Sequence, residues 1–244
     1  MYQTETRPDM LSVLSTVIGH IAKMDTPLDQ LLHGPGSRKI FEFSDWAATG
    51  DASSRWQKLY SDTIKPMSQR DLQFIFHLGD VAGRKVFEVD EVLDIIGDFS
   101  HYGLVTLILD THEADTLWCR LNGQNRDAVL SGDGATTAQE RYRFLFNTMR
   151  TDSLVILEGL RARQVSRDGQ IQLTGPSAIS VLGMINARTR FSIGYQLGLL
   201  LELGALSGVV LGLAVSATCT NPLSSPNAAA LLAYLNNWQN IVKN

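Results

Sequence analysis

Between Arg190 and Lys243 the chain carries one formally charged side chain, Glu202, in 52 residues, although charged residues make up 19% of the whole sequence. Such a stretch cannot lie open to water as a stable helix; it is hidden by lipid or by protein. Its centre, Leu197 to Ala217, has a mean hydropathy of about 2 per residue, the level at which membrane helices begin to be identified. A bilayer core about 30 Å thick needs roughly 20 helical residues, and the segment supplies 21.

Glycine spacing sharpens the choice. Gly204, Gly208 and Gly212 recur every four residues, and Gly194 and Gly198 form a second such pair. Small residues at that spacing let helix backbones approach closely. Each glycine costs a water-exposed helix about 1 kcal/mol, so five of them require tight packing in return. Glu202 points toward a soluble body, because an acid at membrane depth costs about 2.5–3.5 kcal/mol on insertion scales. Both readings stay open: a membrane-inserted helix, or a central helix wrapped by others.

Charge is segregated along the chain. Residues 1–137 carry a net −8, residues 138–190 a net +4 with every base an arginine, and the remainder is nearly uncharged. Arginine grips phosphates and carboxylates in fixed geometry. Arg141, Arg143, Arg161, Arg163 and Arg167 are therefore candidate anion or nucleic-acid contacts, Arg141 and Arg143 being interleaved with Tyr142 and Phe144 as in single-strand binders. The simpler alternative is that the acidic part of the same chain satisfies them. A sequence pI near 5.7 argues against a dedicated nucleic-acid coat.

Along the chain, apolar periodicity predicts helices over 10–23, about 53–64 with Pro66 as the stop, 68–83, 86–99 and 138–150, and a closing helix over 227–243. GLVTLILD and TLWCRLN read as strands joined through a THEAD turn, and SLVILEGLRARQV pairs with QIQL across SRDG as a second hairpin. The predicted fold is thus α+β, predominantly helical with two short β-hairpins, ending in a buried or membrane-inserted apolar helix and a short helix. Three segments follow: a helical N-terminal part (1–67), an α+β body (68–175) and an apolar helical C-terminal part (176–244).

Chemistry is sparse. DTHEAD gathers Asp110, His112, Glu113 and Asp115, but in no metal-ligand pattern, and a turn attracts polar residues anyway. His77, on an apolar face, reads as a satisfied core histidine, and Cys119 as a buried small residue. No phosphate-binding glycine loop or nucleophile elbow is present. The acidic helix 90–99 would repel phosphate, which argues against a winged-helix DNA reader. Two cysteines 100 residues apart indicate a reducing compartment, and the N-terminus does not read as a signal peptide. The localisation expected is cytoplasmic or inner-membrane-associated.

No family resemblance is legible in these motifs. The expectation is a non-enzymatic, homo-oligomeric assembly or scaffold subunit of a membrane-associated complex of the bacterial envelope or secretion type, with no cofactor or metal. It would act through protein partners or self-association at Gly194, Gly198, Glu202, Gly204, Gly208 and Gly212. The alternatives are a soluble nucleic-acid-binding or shell-forming protein using residues 141–167, and a hydrolase or transferase with an unrecognised site.

Overall fold

A computed structural model describes residues 9–24, 28–33, 39–124, 136–177, 187–218 and 227–244. The chain divides into two compact units. One comprises residues 1–38, 157–164 and 169–244; the other comprises 39–156 and 165–168. A six-stranded mixed sheet runs through the chain in the spatial order β1 to β6: β1 (Ile40–Phe43), β2 (Leu72–Phe76), β3 (Gly103–Asp110), β4 (Ser153–Glu158), β5 (Arg161–Ser166) and β6 (Gly169–Thr174). β1, β2 and β3 are parallel, with Phe43 opposite Phe76 and Leu72 opposite Gly103. β4–β5 and β5–β6 are joined by two-residue links, which only antiparallel neighbours allow.

The unit around residues 39–156 is built on those parallel strands. Leu72, Phe74, Ile75 and Phe76 are all fully buried, as expected of a strand covered on both faces. Its aromatic centre is Phe99, the last residue of the helix Val86–Phe99. Phe99 lies 5.0–5.3 Å, centroid to centroid, from Phe43, Phe74 and Phe76. Phe43 and Phe76 stack at 4.5 Å across the β1–β2 ladder. Gly103 is required where β3 starts, since a Cβ there would lie 1.9 Å from the Leu72 carbonyl oxygen.

The sheet corrects the expectation of a mostly helical protein with two hairpins. Residues 68–83, expected as a helix, contain β2: the run LQFIF satisfies a helical and a two-sided strand pattern alike. TLWCRLN, expected as a strand, belongs to the helix Thr111–Asn122. Asp110 caps that helix by accepting from Glu113 N at 2.8 Å, and Glu113 reciprocates from Asp110 N at 3.0 Å; this capping box opens a helix where a turn was expected. SLVILEGLRARQV is two strands, β4 and β5, broken at Gly159 with φ +58°. The helix expected over 53–64 runs from Ala52 to Leu59, widens through a π-turn at Tyr60–Ile64 and ends at Met67 beyond Pro66.

We number the helices α1 (Met10–Ala22), α2 (Leu28–His33), α3 (Ala52–Leu59), α4 (Val86–Phe99), α5 (Thr111–Asn122), α6 (Ala138–Thr148), α7 (Ala187–Leu200), α8 (Ala205–Thr218) and α9 (Ala228–Lys243). In the other unit the described part of the apolar stretch forms two helices. α7 and α8 are separated by a turn at which Glu202 (φ +54°) and Gly204 (φ +81°) are left-handed. Each has 14 described residues, about 21 Å of helix. Among the described residues no helix is long and apolar enough to cross a membrane. Every residue from Ser207 to Ala217 is instead buried, and α8 lies against α7, α9 and α1.

Glycine makes that arrangement fit. A Cβ on Gly194 would stand 2.3 Å from the Leu211 carbonyl oxygen and 2.7 Å from Gly212 Cα; one on Gly198 would stand 2.5 Å from Gly208 Cα. The two backbones therefore touch along the antiparallel crossing, while Phe191 and Tyr195 cover Gly212 and Gly208. Elsewhere in this unit Tyr234 Oη donates to the Pro176 carbonyl at 2.8 Å, and burial pushes its phenol above the ordinary tyrosine range.

Gly198→Val and Gly194→Val should each lower unfolding free energy by roughly 3 kcal/mol or more, since backbone on both sides has no room to yield. Gly19→Ala, in α1 with nothing within 4 Å of the added carbon, should raise it by up to about 1 kcal/mol. Urea denaturation of the three variants checks the contrast.

Candidate functional site

Parallel strands leave their carboxyl ends open for ligands, because the chain there must turn into a helix or loop. In the unit 39–156 three such ends lie side by side. β1 leads into Ser44, Asp45 and Trp46, β2 into His77, Leu78, Gly79 and Asp80, and β3 into Asp110 and the start of α5.

This edge is rigidly made. His77 N donates to the Phe43 carbonyl, and Ala47 N to the Leu78 carbonyl, both at 2.8 Å. The buried His77 ring meets Glu42 with Nε2 at 2.9 Å from Oε1. The Arg84 guanidinium donates to the carbonyls of Trp46 (2.7 Å), Ala47 (3.2 Å) and Thr49 (2.6 Å), and stacks 4.7 Å over the Trp46 ring. Asp45 sits in the left-handed region at φ +59°, a conformation a non-glycine residue holds only when its surroundings impose it. Asp80 accepts from Ala82 N at 3.0 Å, fixing the turn after β2.

Between that turn and α5 lies a cavity of about 300 Å³ lined by Asp80, Ala82, His112, Thr116, Cys119, Arg120 and Gln124. Residues 112, 116 and 120 recur every four positions and so form one stripe along α5, and Gln124 follows just beyond its left-handed cap, Gly123. The stripe brings an imidazole, a hydroxyl and a guanidinium to one wall and Gln124 adds an amide, with the Asp80 carboxylate also in the lining. Such a lining donates and accepts hydrogen bonds to a small polar ligand.

The residues of DTHEAD divide their work. Asp110 and Glu113 close the cap of α5, His112 reaches the cavity, and Asp115 turns inward. Asp115 is 7% exposed and meets Arg141, 8% exposed, with Nε and Nη2 both 3.0 Å from Oδ1. Arg141 Nη1 donates in addition to the Thr136 carbonyl at 2.9 Å. Among the described residues no group of three or more His, Cys, Asp or Glu is placed to hold a metal ion. Cys119 is buried; Cys219 and the SGDG turn at 131–134 lie outside the described residues.

The other arginines are dispersed. Arg143 is half-buried on α6, Arg161 is exposed on β5, and Arg163 is hydrogen-bonded to Gln172. Arg167 approaches Asp152 at 3.9 Å from an exposed position. Of the residues singled out in the C-terminal stretch, Gly194, Gly198, Gly208 and Gly212 meet at the α7–α8 crossing, while Glu202 and Gly204 form the turn, Glu202 being exposed. Arg120 has no sequence signal as a site residue until α5 is recognised as a helix, and Asp80 and Gln124 join it only through the tertiary fold. Arg190, which bounds the nearly uncharged stretch, is 2% exposed in α7.

No protein-family model matches the chain, and no curated protein matches it by sequence. Solved structures do. A nucleoside kinase from Burkholderia thailandensis, solved in complex with inosine, superimposes with a TM-score of 0.54 at 15% identity, over 93% of this chain and 62% of that one. The same kinase in complex with ADP-inosine gives 0.50 at 14% identity, over 93% and 58%. Ribokinase from Thermotoga maritima gives 0.53 at 14% identity, over 89% and 61%. The fold is that of the ribokinases. The chain spans about three fifths of the length of these ribokinase-fold structures.

This finding overturns the expectation of a non-enzymatic scaffold of a membrane or secretion complex. The solved structures that share the architecture are described as a nucleoside kinase and a ribokinase. The nucleic-acid or shell-forming alternative gains no support from it.

Asp115→Ala should destabilise the protein by roughly 3–5 kcal/mol, because it strands the Arg141 charge in the interior. Asp115→Leu combined with Arg141→Met should recover most of that loss, as measured by chemical denaturation, since an apolar pair of similar volume avoids the desolvation cost.

Proposed function

We propose that the chain transfers a phosphoryl group from a nucleoside triphosphate to a hydroxyl of a small sugar or nucleoside. The observation that carries this reading is the ribokinase fold itself, shared with proteins described as a ribokinase and as a nucleoside kinase bound to inosine. Two further features support it. The carboxyl edge of β1, β2 and β3 is open and rigidly braced, the usual ligand position in open α/β sheets. The cavity there, at about 300 Å³, falls at the small end of ligand sites and presents both donors and acceptors, as a polyhydroxylated acceptor requires.

Phosphoryl transfer asks little covalent chemistry of a protein. It asks for alignment of the hydroxyl and for positive charge where the transferred group passes. In this reading Asp80 and His112 bind and orient acceptor hydroxyls, Arg120 and Gln124 donate to its oxygens, and the Arg84 clamp on residues 46–49 keeps the edge from rearranging.

The test is ADP release by the purified chain with ATP and a panel that includes ribose and inosine, with the product confirmed by mass. Turnover above that of donor alone is expected for at least one acceptor. His112→Ala and Asp80→Ala should each raise the acceptor KM by roughly tenfold, the worth of one well-made hydrogen bond. A folded protein giving no acceptor-dependent ADP with any sugar or nucleoside would overturn the proposal.

A further inference from the structure

Asp115 on α5 and Arg141 on α6 are 7% and 8% exposed, and Nε and Nη2 of the arginine both stand 3.0 Å from Oδ1 of the aspartate. The guanidinium also donates from Nη1 to the Thr136 carbonyl at 2.9 Å, and it lies 6.0 Å from the centre of the Trp118 ring. Arg141 therefore touches two successive turns of α5, through Asp115 and Trp118, while it is anchored just ahead of its own helix.

Stability alone does not account for such a pair. Withdrawing both charges from water costs about what their attraction returns, and an apolar pair of similar volume holds two helices together as well or better. What an apolar pair lacks is direction. Hydrophobic contact is nearly indifferent to the angle at which surfaces meet, whereas a planar guanidinium offers its donors in a fixed fork. The directed bonds of Arg141 set where the Asp115 carboxylate stands, and with it the rotation of α5 about its own axis.

That rotation matters because the adjoining face of α5 is the cavity wall. His112, Thr116 and Arg120 line the cavity, and Asp115 directly precedes Thr116 in the sequence. The capping box of Asp110 and Glu113 acts on the first turn of α5 alone. A rotation of about 20° carries side-chain tips on a helix roughly 10 Å across by about 2 Å. A misplacement of about 1 Å at a reacting centre can cost about 100-fold in rate.

We propose that Asp115 and Arg141 are positioning residues: their ion pair fixes the rotation of α5 and thereby the places of His112, Thr116 and Arg120 in the cavity wall. The consequence for an acceptor rests on the kinase reading above; the hold on α5 does not.

The test compares wild type with Asp115→Leu combined with Arg141→Met, whose global stability in urea should match or exceed that of wild type. Cys119 reports on the wall. It is 4% exposed and lines the same cavity, so iodoacetamide reaches it more readily when α5 loosens. Alkylation of the folded full chain, quantified on the Cys119 peptide by mass spectrometry, should be roughly tenfold faster in the double variant, since a loosened element opens locally without global unfolding. A pair that serves stability alone would leave that rate unchanged at equal global stability. For an acceptor that wild type turns over, the double variant should raise the acceptor KM by roughly tenfold and leave the KM for ATP unchanged. Arg141→Lys keeps the charge and loses the fork; it should change both readouts in the same direction, and it carries the test if the double variant does not fold.

A folded double variant that alkylates Cys119 at the wild-type rate overturns the proposal, whatever the KM does. Faster alkylation with an unchanged acceptor KM keeps the positioning role and overturns the cavity as the acceptor site. A wild type that releases no acceptor-dependent ADP fails the kinase reading alone, because the alkylation rates still decide this one.

Discussion

Backbone contact between α7 and α8 is the constraint on which the C-terminal half of this chain depends. With Gly194 against Leu211 and Gly212, and Gly198 against Gly208, the two helices approach more closely than any side chain permits. That approach requires their facing surfaces to carry no Cβ. It also requires the turn between them to reverse abruptly, which the left-handed Glu202 and Gly204 achieve. With α8 then enclosed by α7, α9 and α1, no charge is tolerated along it. The depletion of charge, the glycine spacing and the lone acid at the turn are three consequences of one packing geometry.

Seen from sequence, the same features describe a membrane hairpin as well as a buried one, because lipid and protein interior impose the same demand on a helix surface. What separates them is helix length, and length is set by a break that hydropathy averages conceal. The window from Leu197 to Ala217 has the apolar content of a span, yet it crosses the turn at 201–204 and takes parts of two helices. Glu202, weighed as a costly acid inside one helix, is an ordinary exposed residue between two.

The sheet was less legible than the helices, for a related reason. A strand covered on both faces loses the alternation that identifies strands, and in β2 the residues Leu72, Phe74, Ile75 and Phe76 are all buried. Such a run is compatible with a helix face until its partners are known. Local signals fared better where they were read in full. The Asp110–Glu113 pair opens α5, and Gly159 ends β4; both are visible in the sequence, but each was subordinated to a longer pattern. The helix over 86–99, whose buried stripe includes Val92, Leu93, Ile95 and Ile96, follows directly from its periodicity, because nothing competes with a single amphipathic face.

The candidate site resisted sequence reading because of how an open α/β sheet places chemistry. Asp80 and Ala82 follow one strand, His112 opens the helix after the next, Thr116, Cys119 and Arg120 come from later turns of that helix and Gln124 from just beyond it, so no short motif unites them. The arginines show the complementary difficulty. Arg141 and Arg190 are both buried and read alike in a charge count, but Arg141 has Asp115 at 3.0 Å, while Nε and Nη1 of Arg190 meet no hydrogen-bond partner among the described residues. Acid-rich sequence upstream answers the first charge, whereas the stretch around the second holds one distant carboxylate, Glu202. Net charge by segment therefore cannot identify a structural ion pair; a partner within hydrogen-bond reach of each buried nitrogen does.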